Sequence, residues 1–234
     1  MKHKKSSPDS YYVYGLNPVT LISEKAPERV IEIKVINNLA HKFKHLNCVV
    51  VSPKELNHIF PDLSHQGIVA TIAPKQRCDL DSLISSSAND KIAVLDRITD
   101  IGNIGAIIRS ALAFNIKKFI IPKHDGCSNM ARLAKSSSGY SELADICEVV
   151  NLSHAVDELK ENGYWCLGLD GMGREDISKL KDYPKLAIIL GNEHQGIREG
   201  LRKSCDLLVK IPMTGEVESL NVAVASAIAF YNTV

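Results

Sequence analysis

The sequence lacks a long apolar run, paired cysteines and any appreciable net charge. No stretch approaches the roughly 20 apolar residues that a membrane-spanning helix needs. The opening MKHKKSSPDS is basic and polar with no apolar centre, so it does not read as a secretory leader. Six cysteines (Cys48, Cys78, Cys127, Cys147, Cys166 and Cys205) lie scattered without a C-x-x-C pair. That excludes the usual zinc and redox motifs and makes a disulfide framework a poor fit for a chain of this length. Free thiols in a reducing compartment, the cytoplasm, are the expectation. With 28 Lys and Arg against 27 Asp and Glu the net charge is +1, so any polyanion must be met by local patches. No repeat of about 20 to 50 residues is visible. GLDGMGRED offers Gly171 and Gly173, but Asp176 stands where a dinucleotide fingerprint needs its third glycine. That disfavours a nucleotide-dependent oxidoreductase and leaves this stretch reading as flexible linker.

What is present is an ordinary globular balance, 45% hydrophobic and 24% charged over 234 residues. Residues 1–10 read as a disordered tail. From Tyr11 short strands alternate with helices. RVIEIKVI sets Ile31, Ile33 and Val35 against Val30, Glu32, Lys34 and Ile36, a strand period. A helix with Leu39, Phe43 and Leu46 on one face follows, then strand CVVV, a helix from Lys54 to Phe60, and strand QGIVATIA. Residues 11–78 form a small α/β unit with a slightly basic surface, and 79–90, rich in serine, read as a linker. Residues 91–234 alternate strand and helix again: IAVLD, a helix from Ile104 to Phe114, KKFIIP, a helix around Met130 to Ser136, ICEVV, a helix from His154 to Asn162, and YWCLGL. The fold class is therefore α/β, a mainly parallel sheet covered on both faces and preceded by a smaller α/β domain.

The last third carries the chemistry. LAIIL breaks at Gly191, Asn192 and Glu193; a second buried strand, DLLVKI, stops at Pro212. From Ser219 the period becomes helical through Leu220, Val224, Ala227 and Ile228, with Ser219 as N-cap or first-turn residue. Two buried strands thus end in glycine-bearing polar loops beside a helix start, at the edge of an α/β sheet where ligands bind.

Three blocks carry a resemblance: DRITDIGNIGAIIRSALAF, GNEHQGI and IPMTGEVESLNVAVASAI. In order and spacing they resemble the three motifs of the SpoU (TrmH-type) RNA ribose 2'-O-methyltransferases of the SPOUT class, and they cover most of Asp96 to Val234. Any one alone is a weak signal; together they are specific. YYVYGLNPVTLI also resembles the start of those members that methylate large-subunit ribosomal RNA and carry an RNA-binding domain first. The resemblance implies a deep trefoil knot, S-adenosyl-L-methionine as methyl donor, a guanosine of large-subunit ribosomal RNA as target, and a homodimer.

Residue by residue, NIGAIIR puts Asn103 at a helix start, where free N–H groups suit an anion. Arg109 lies almost two turns further in, a planar cation suited to phosphate. The plain alternative is a helix cap and a surface ion pair. By resemblance Asn103 and Arg109 belong to the catalytic centre, with the Arg reaching a partner subunit's pocket. A guanidinium does not give up its proton near neutral pH, so positioning phosphate and stabilising a ribose oxyanion suit it better than acting as base. Gly191 lets backbone approach a ligand closely, and Glu193 could orient the nucleotide or cap a helix. His194 is read as solvent-facing. Ile211, Met213 and Leu220 suit an apolar slot for a sulfonium cofactor, though apolar residues at such positions are commonly plain core. By resemblance Gly191, Ile211 and Leu220 touch the cofactor, while Ser219 and Asn221 line its reactive end. Tyr140 departs from the family pattern in KSSSGY, where a small residue usually follows the glycine. His41 and His45 share a helix face without an evident third ligand, so no metal is expected. Lys42, Lys44 and His45 are candidate RNA contacts of the first unit. Alanines at Ala223, Ala225, Ala227 and Ala229 suit close helix packing at a dimer interface. A transfer RNA methyltransferase of the same class and a non-catalytic RNA-binding relative remain as rivals.

Overall fold

The computed structural model describes residues 10–76, 78–123, 129–192 and 195–234. The chain forms two compact units, one of Met1–Gln76 with Asn129–Leu143 and one of Arg77–Ser128 with Ala144–Val234.

The first unit holds a four-stranded mixed sheet in the order β1-β4-β2-β3, from β1 (Tyr11–Tyr14), β2 (Val30–Ile36), β3 (Cys48–Val51) and β4 (Ile68–Ile72). Helices α1 (Leu16–Lys25), α2 (Asn37–Ala40) and α3 (Pro53–Ile59) connect them. The alternation read in RVIEIKVI is real: Ile33 and Val35 are fully buried while Ile31 is 47% exposed. Ile33 and Val35 pack with Val13, Ile68, Ala70 and Phe43. Intervening positions such as Tyr14 and Val69 pack with Leu56 and Phe60. Successive strand residues thus feed separate cores, as period two requires.

In the second unit seven strands run parallel in the order β7-β6-β5-β10-β8-β11-β9. They are β5 (Asp90–Leu95), β6 (Lys118–Pro122), β7 (Asp145–Val149), β8 (Trp165–Leu169), β9 (Glu175–Asp176), β10 (Lys185–Leu190) and β11 (Leu207–Lys210). Helices α4 (Leu80–Leu83), α5 (Ile101–Ala113), α7 (Leu152–Glu161), α8 (Glu199–Ser204) and α9 (Val222–Tyr231) belong to this unit; α6 (Met130–Ser136) does not. Leu186 to Leu190 are at most 1% exposed, which is why β10 reads as unbroken apolar sequence. β10 lies between β5 and β8, so the strand order reverses there and opens a crevice at the carboxyl ends.

The structure corrects several boundaries. Helix α5 begins at Ile101, capped by Asp100, whose carboxylate accepts from the Asn103 N–H at 2.7 Å. Asn103 therefore sits inside the first turn. Asn221, not Ser219, caps α9 by accepting from the N–H groups of Ala223 and Val224. The serine-rich stretch expected as a linker contains α4 with a capping box at Asp79, and Leu83 is buried in the core of the second unit. DGMGREDISKLKDYP is not loose either. It supplies β9 and a 3-10 turn that buries Ile177 and Leu180, and a Cβ on Gly173 would stand 2.7 Å from the Val209 carbonyl carbon. The helix that Glu193 was expected to cap is α8, which begins only at Glu199 and runs six residues. Asn129–Leu143 groups with the first unit, although the sequence placed all of 91–234 in one domain. The segment packs into the first unit's cores through Ala134 and Ala131, and buried Glu142 meets the Arg29 guanidinium at 2.8 Å and accepts from the Tyr11 hydroxyl. Lys135 adds a hydrogen bond to Gln66 and lies over the Tyr14 ring. The Tyr140 noted as unusual belongs to this excursion. Of the expected N-terminal tail, residues 1–9 lie outside the described residues.

Candidate functional site

A cavity of about 360 Å³ opens over the carboxyl ends of β8, β10 and β11, a size suited to a small-molecule ligand. Leu169, Leu190, Ile197 and Val222 give it apolar walls, and Asp170, Arg202 and Glu218 are its charged lining. β10 is buried up to its last residue, Leu190, so the loop leaving it starts from a fixed point.

All five residues singled out from the sequence as cofactor contacts line this one cavity: Gly191, Ile211, Met213, Ser219 and Leu220. The bends at Gly191 and at Leu220 therefore meet at one cavity. The structure gives glycine at 191 a reason within the chain itself. Its backbone is not in the left-handed region, but a Cβ there would lie 2.2 Å from the Gly196 carbonyl carbon and 2.3 Å from the Ile197 nitrogen. Gly191 is needed because the loop turns back upon itself. That turn is closed by reciprocal backbone bonds between Asn192 and Gly196 at 3.1 and 2.9 Å, with Gly196 left-handed at φ 64. Glu193 and His194 lie outside the described residues.

The polar residues sort differently. Asn221, beside Leu220, donates from Nδ2 to the Asn103 Oδ1 at 3.1 Å, so the first and third sequence blocks meet. Arg109 lies exposed on α5 and is not among the residues lining the cavity. The four alanines of α9 do not share one interface: Ala229 is fully buried within its own chain and Ala225 lines the cavity.

Sequence reasoning missed two features. Asp170, at the end of β8, accepts from the Met172 N–H at 2.8 Å and pairs with Arg202 at 3.4 Å. An acid immediately after a buried strand was the available signal. Asp96, at the end of β5, is fully buried and binds Arg198 beyond the Gly191 loop.

A parallel sheet whose strand order reverses beneath a cavity is where α/β proteins commonly bind their ligands. The chain belongs to the SpoU rRNA Methylase family, whose model matches residues 90–231. It is 34% identical to the 23S rRNA (guanosine-2'-O-)-methyltransferase RlmB of Vibrio vulnificus, over 95% of this chain and 96% of that protein. The same enzyme from Photobacterium profundum is 33% identical, again over 95% and 96%. Among solved structures, the SpoU methyltransferase AviRb from Streptomyces viridochromogenes in complex with AdoMet superposes with a TM-score of 0.80 at 24% identity. That match covers 96% of this chain and 89% of AviRb.

Proposed function

We propose that this protein is an S-adenosyl-L-methionine-dependent RNA methyltransferase that modifies a ribose 2'-hydroxyl, on a guanosine of large-subunit ribosomal RNA. The observation that carries the reading is the convergence of Gly191, Ile211, Met213, Ser219 and Leu220 on one cavity. Its walls fit the cofactor: an apolar slot for the adenine and the sulfonium's alkyl arms, with Asp170, Arg202 and Glu218 as charged neighbours among the described residues. When bound, the cofactor supplies an electrophilic methyl group, so the chain's own work is alignment and electrostatics.

Asn221 and Asn103 are proposed to orient the ribose, and Arg109 to hold phosphate and steady negative charge on the ribose oxygen. Glu193 is proposed to orient the nucleotide or the arginine. An exposed Arg109 that does not line its own chain's cavity is what a homodimer would explain, with each arginine serving the partner's pocket. Helix α9 supports that dimer. It is apolar on every side, and Val224 and Tyr231 are 50% and 64% exposed, surface that a helix of this kind buries against something. The deep trefoil knot is proposed from membership of the family. Lys42, Lys44 and His45, all exposed on the first unit, are its proposed RNA contacts, where shape and phosphate dominate recognition. The cytoplasm is the proposed place of action, and no metal is assigned a role.

Coverage of 95% of the chain by RlmB enzymes, first unit included, favours ribosomal over transfer RNA. The test is methyl transfer from labelled S-adenosylmethionine to large-subunit ribosomal RNA and to transfer RNA, each from cells lacking the protein. Label in ribosomal RNA at a guanosine ribose supports the assignment. Label only in transfer RNA overturns the substrate, and failure to bind the cofactor by calorimetry overturns the enzyme.

A further inference from the structure

A carboxylate taken wholly out of water must be paired and hydrogen-bonded. Asp96 is 0% exposed and is met from far along the chain. Its Oδ2 accepts from the Arg198 backbone N–H at 2.8 Å, and its Oδ1 from Arg198 Nε and Nη2, both at 2.8 Å. Both carboxylate oxygens are thereby used. Arg97 stands alongside, its Nε 3.6 Å from Oδ1 and its backbone left-handed at φ 55. Arg97 reaches the same loop twice. Its carbonyl accepts from Asn192 Nδ2 at 2.9 Å, and its Nη1 donates to Gln195 Oε1 at 3.0 Å.

The loop so held lines the cavity through Gly191, Asn192, Gln195, Gly196 and Ile197. It is mostly glycine and polar side chain, so it has little apolar area of its own to fix its shape. Asp96 and Arg97 also lead into α5, which carries Asn103 and Arg109. We propose that Asp96 is a positioning residue: through Arg198 it clamps the cofactor wall to the turn that precedes the catalytic helix. Asp96 is absent from the cavity lining, so it acts on the cofactor only through that loop. This rests on reading the cavity as the S-adenosylmethionine site.

The test uses the full chain with Asp96→Asn, Arg198→Gln, the double variant, and Leu220→Arg as a pocket control. Cofactor affinity is read by calorimetry, kcat and KM by methyl transfer, and folding by thermal unfolding. Asp96→Asn keeps the side chain's shape but removes the charge. It is expected to raise Kd and KM for S-adenosylmethionine about tenfold or more, with kcat at saturating cofactor within about threefold. Arg198→Gln should match it. The double variant should be within about twofold of the weaker single variant, because both cut one link. A purely structural role would lower the unfolding temperature and leave the Kd of folded protein unchanged, which overturns the clamp. So does a fall in kcat at unchanged Kd. If Asp96→Asn does not fold, Arg198→Gln decides by the same readings, since it alters a residue whose side chain is 42% exposed. Wild-type protein that fails to bind the cofactor, or Leu220→Arg that binds it normally, overturns the pocket reading instead.

Discussion

Asn221 Nδ2 donates to Asn103 Oδ1 at 3.1 Å, joining positions 118 residues apart. The other end of the same amide is already engaged, since Asn221 Oδ1 accepts from the N–H groups of Ala223 and Val224. Oxygen caps the last helix while nitrogen ties that helix to α5. The two duties can be separated. Asp at 221 keeps an acceptor for the cap, and its charge suits a helix N-terminus, but it has no proton to give Asn103. Asn221→Asp should therefore stay within about 1 kcal/mol of wild-type stability and lose most of its turnover. Asn221→Ala should lose turnover and about 1 kcal/mol as well. Thermal unfolding beside a methyl-transfer assay separates them, and a fully active Asn221→Asp would remove the link from the reaction.

Gly191 makes a different kind of demand. A Cβ there would lie 2.2 Å from backbone that cannot swing aside as a side-chain tip would. Gly191→Ala must push the Asn192–Gly196 turn outward, an overpacking cost of roughly 1–3 kcal/mol. Because that turn is cavity wall, the larger effect should fall on the cofactor. Folded protein with weakened S-adenosylmethionine binding in calorimetry is the expected outcome. Unchanged affinity would mean that the wall does not touch the ligand.

These two positions show what sequence can and cannot carry. The apolar blocks LAIIL and DLLVKI announce buried parallel strands, and glycine after LAIIL announces a bend. What glycine is for there depends on which atoms return to face it, and Gly196 does so through a turn that no periodicity reveals. Ser219 and Asn221 are both good caps by type; only the register of α9 against α5 selects Asn221. The segment Asn129–Leu143 reads as one more helix of the larger domain because Glu142 and its partner Arg29 stand far apart in sequence. Asp96 looks like a strand end and nothing more until Arg198 is seen beside it.

Burial also sets the chemistry of the thiols. All five described cysteines are free. Burial, with Cys78 and Asp79 nearby, pushes the Cys147 thiol up to about 11. Burial and then Asp206 push Cys205 up to about 12, and Cys166 is raised by the same causes. Only the thiolate is a good nucleophile. At about pH 8, below even the ordinary thiol value of about 8.5, these three should resist alkylation in native protein and react at once in denaturant, as mass spectrometry of the labelled peptides would report. The same shifts bear on stability. A thiol raised in the folded state contributes fully below its unfolded value and loses that contribution as pH rises toward the folded one. Unfolding temperature should fall above about pH 8.5, and fall less when Cys205 is replaced by Ser.

Arg109 is the sharpest test of the division between holding the cofactor and using it. It projects from α5, exposed, and does not line the cavity of its own chain. Truncating it should therefore leave cofactor affinity alone. Its proposed work is on the RNA: a planar fork gripping phosphate and a fixed positive charge near the ribose oxygen. Arg109→Ala is expected to bind S-adenosylmethionine as wild type does, within about twofold, while turnover falls by about a hundredfold or more. Arg109→Lys keeps the charge without the fork and should land between them. Calorimetry with the cofactor alone, followed by single-turnover methyl transfer to ribosomal RNA, reads the two halves separately. If the arginine serves the partner's pocket, mixing Arg109→Ala subunits with Leu220→Arg subunits should restore activity that neither variant has by itself. A mixed dimer then pairs one intact cavity with one intact arginine. Persistent inactivity in proven mixed dimers would return Arg109 to its own subunit.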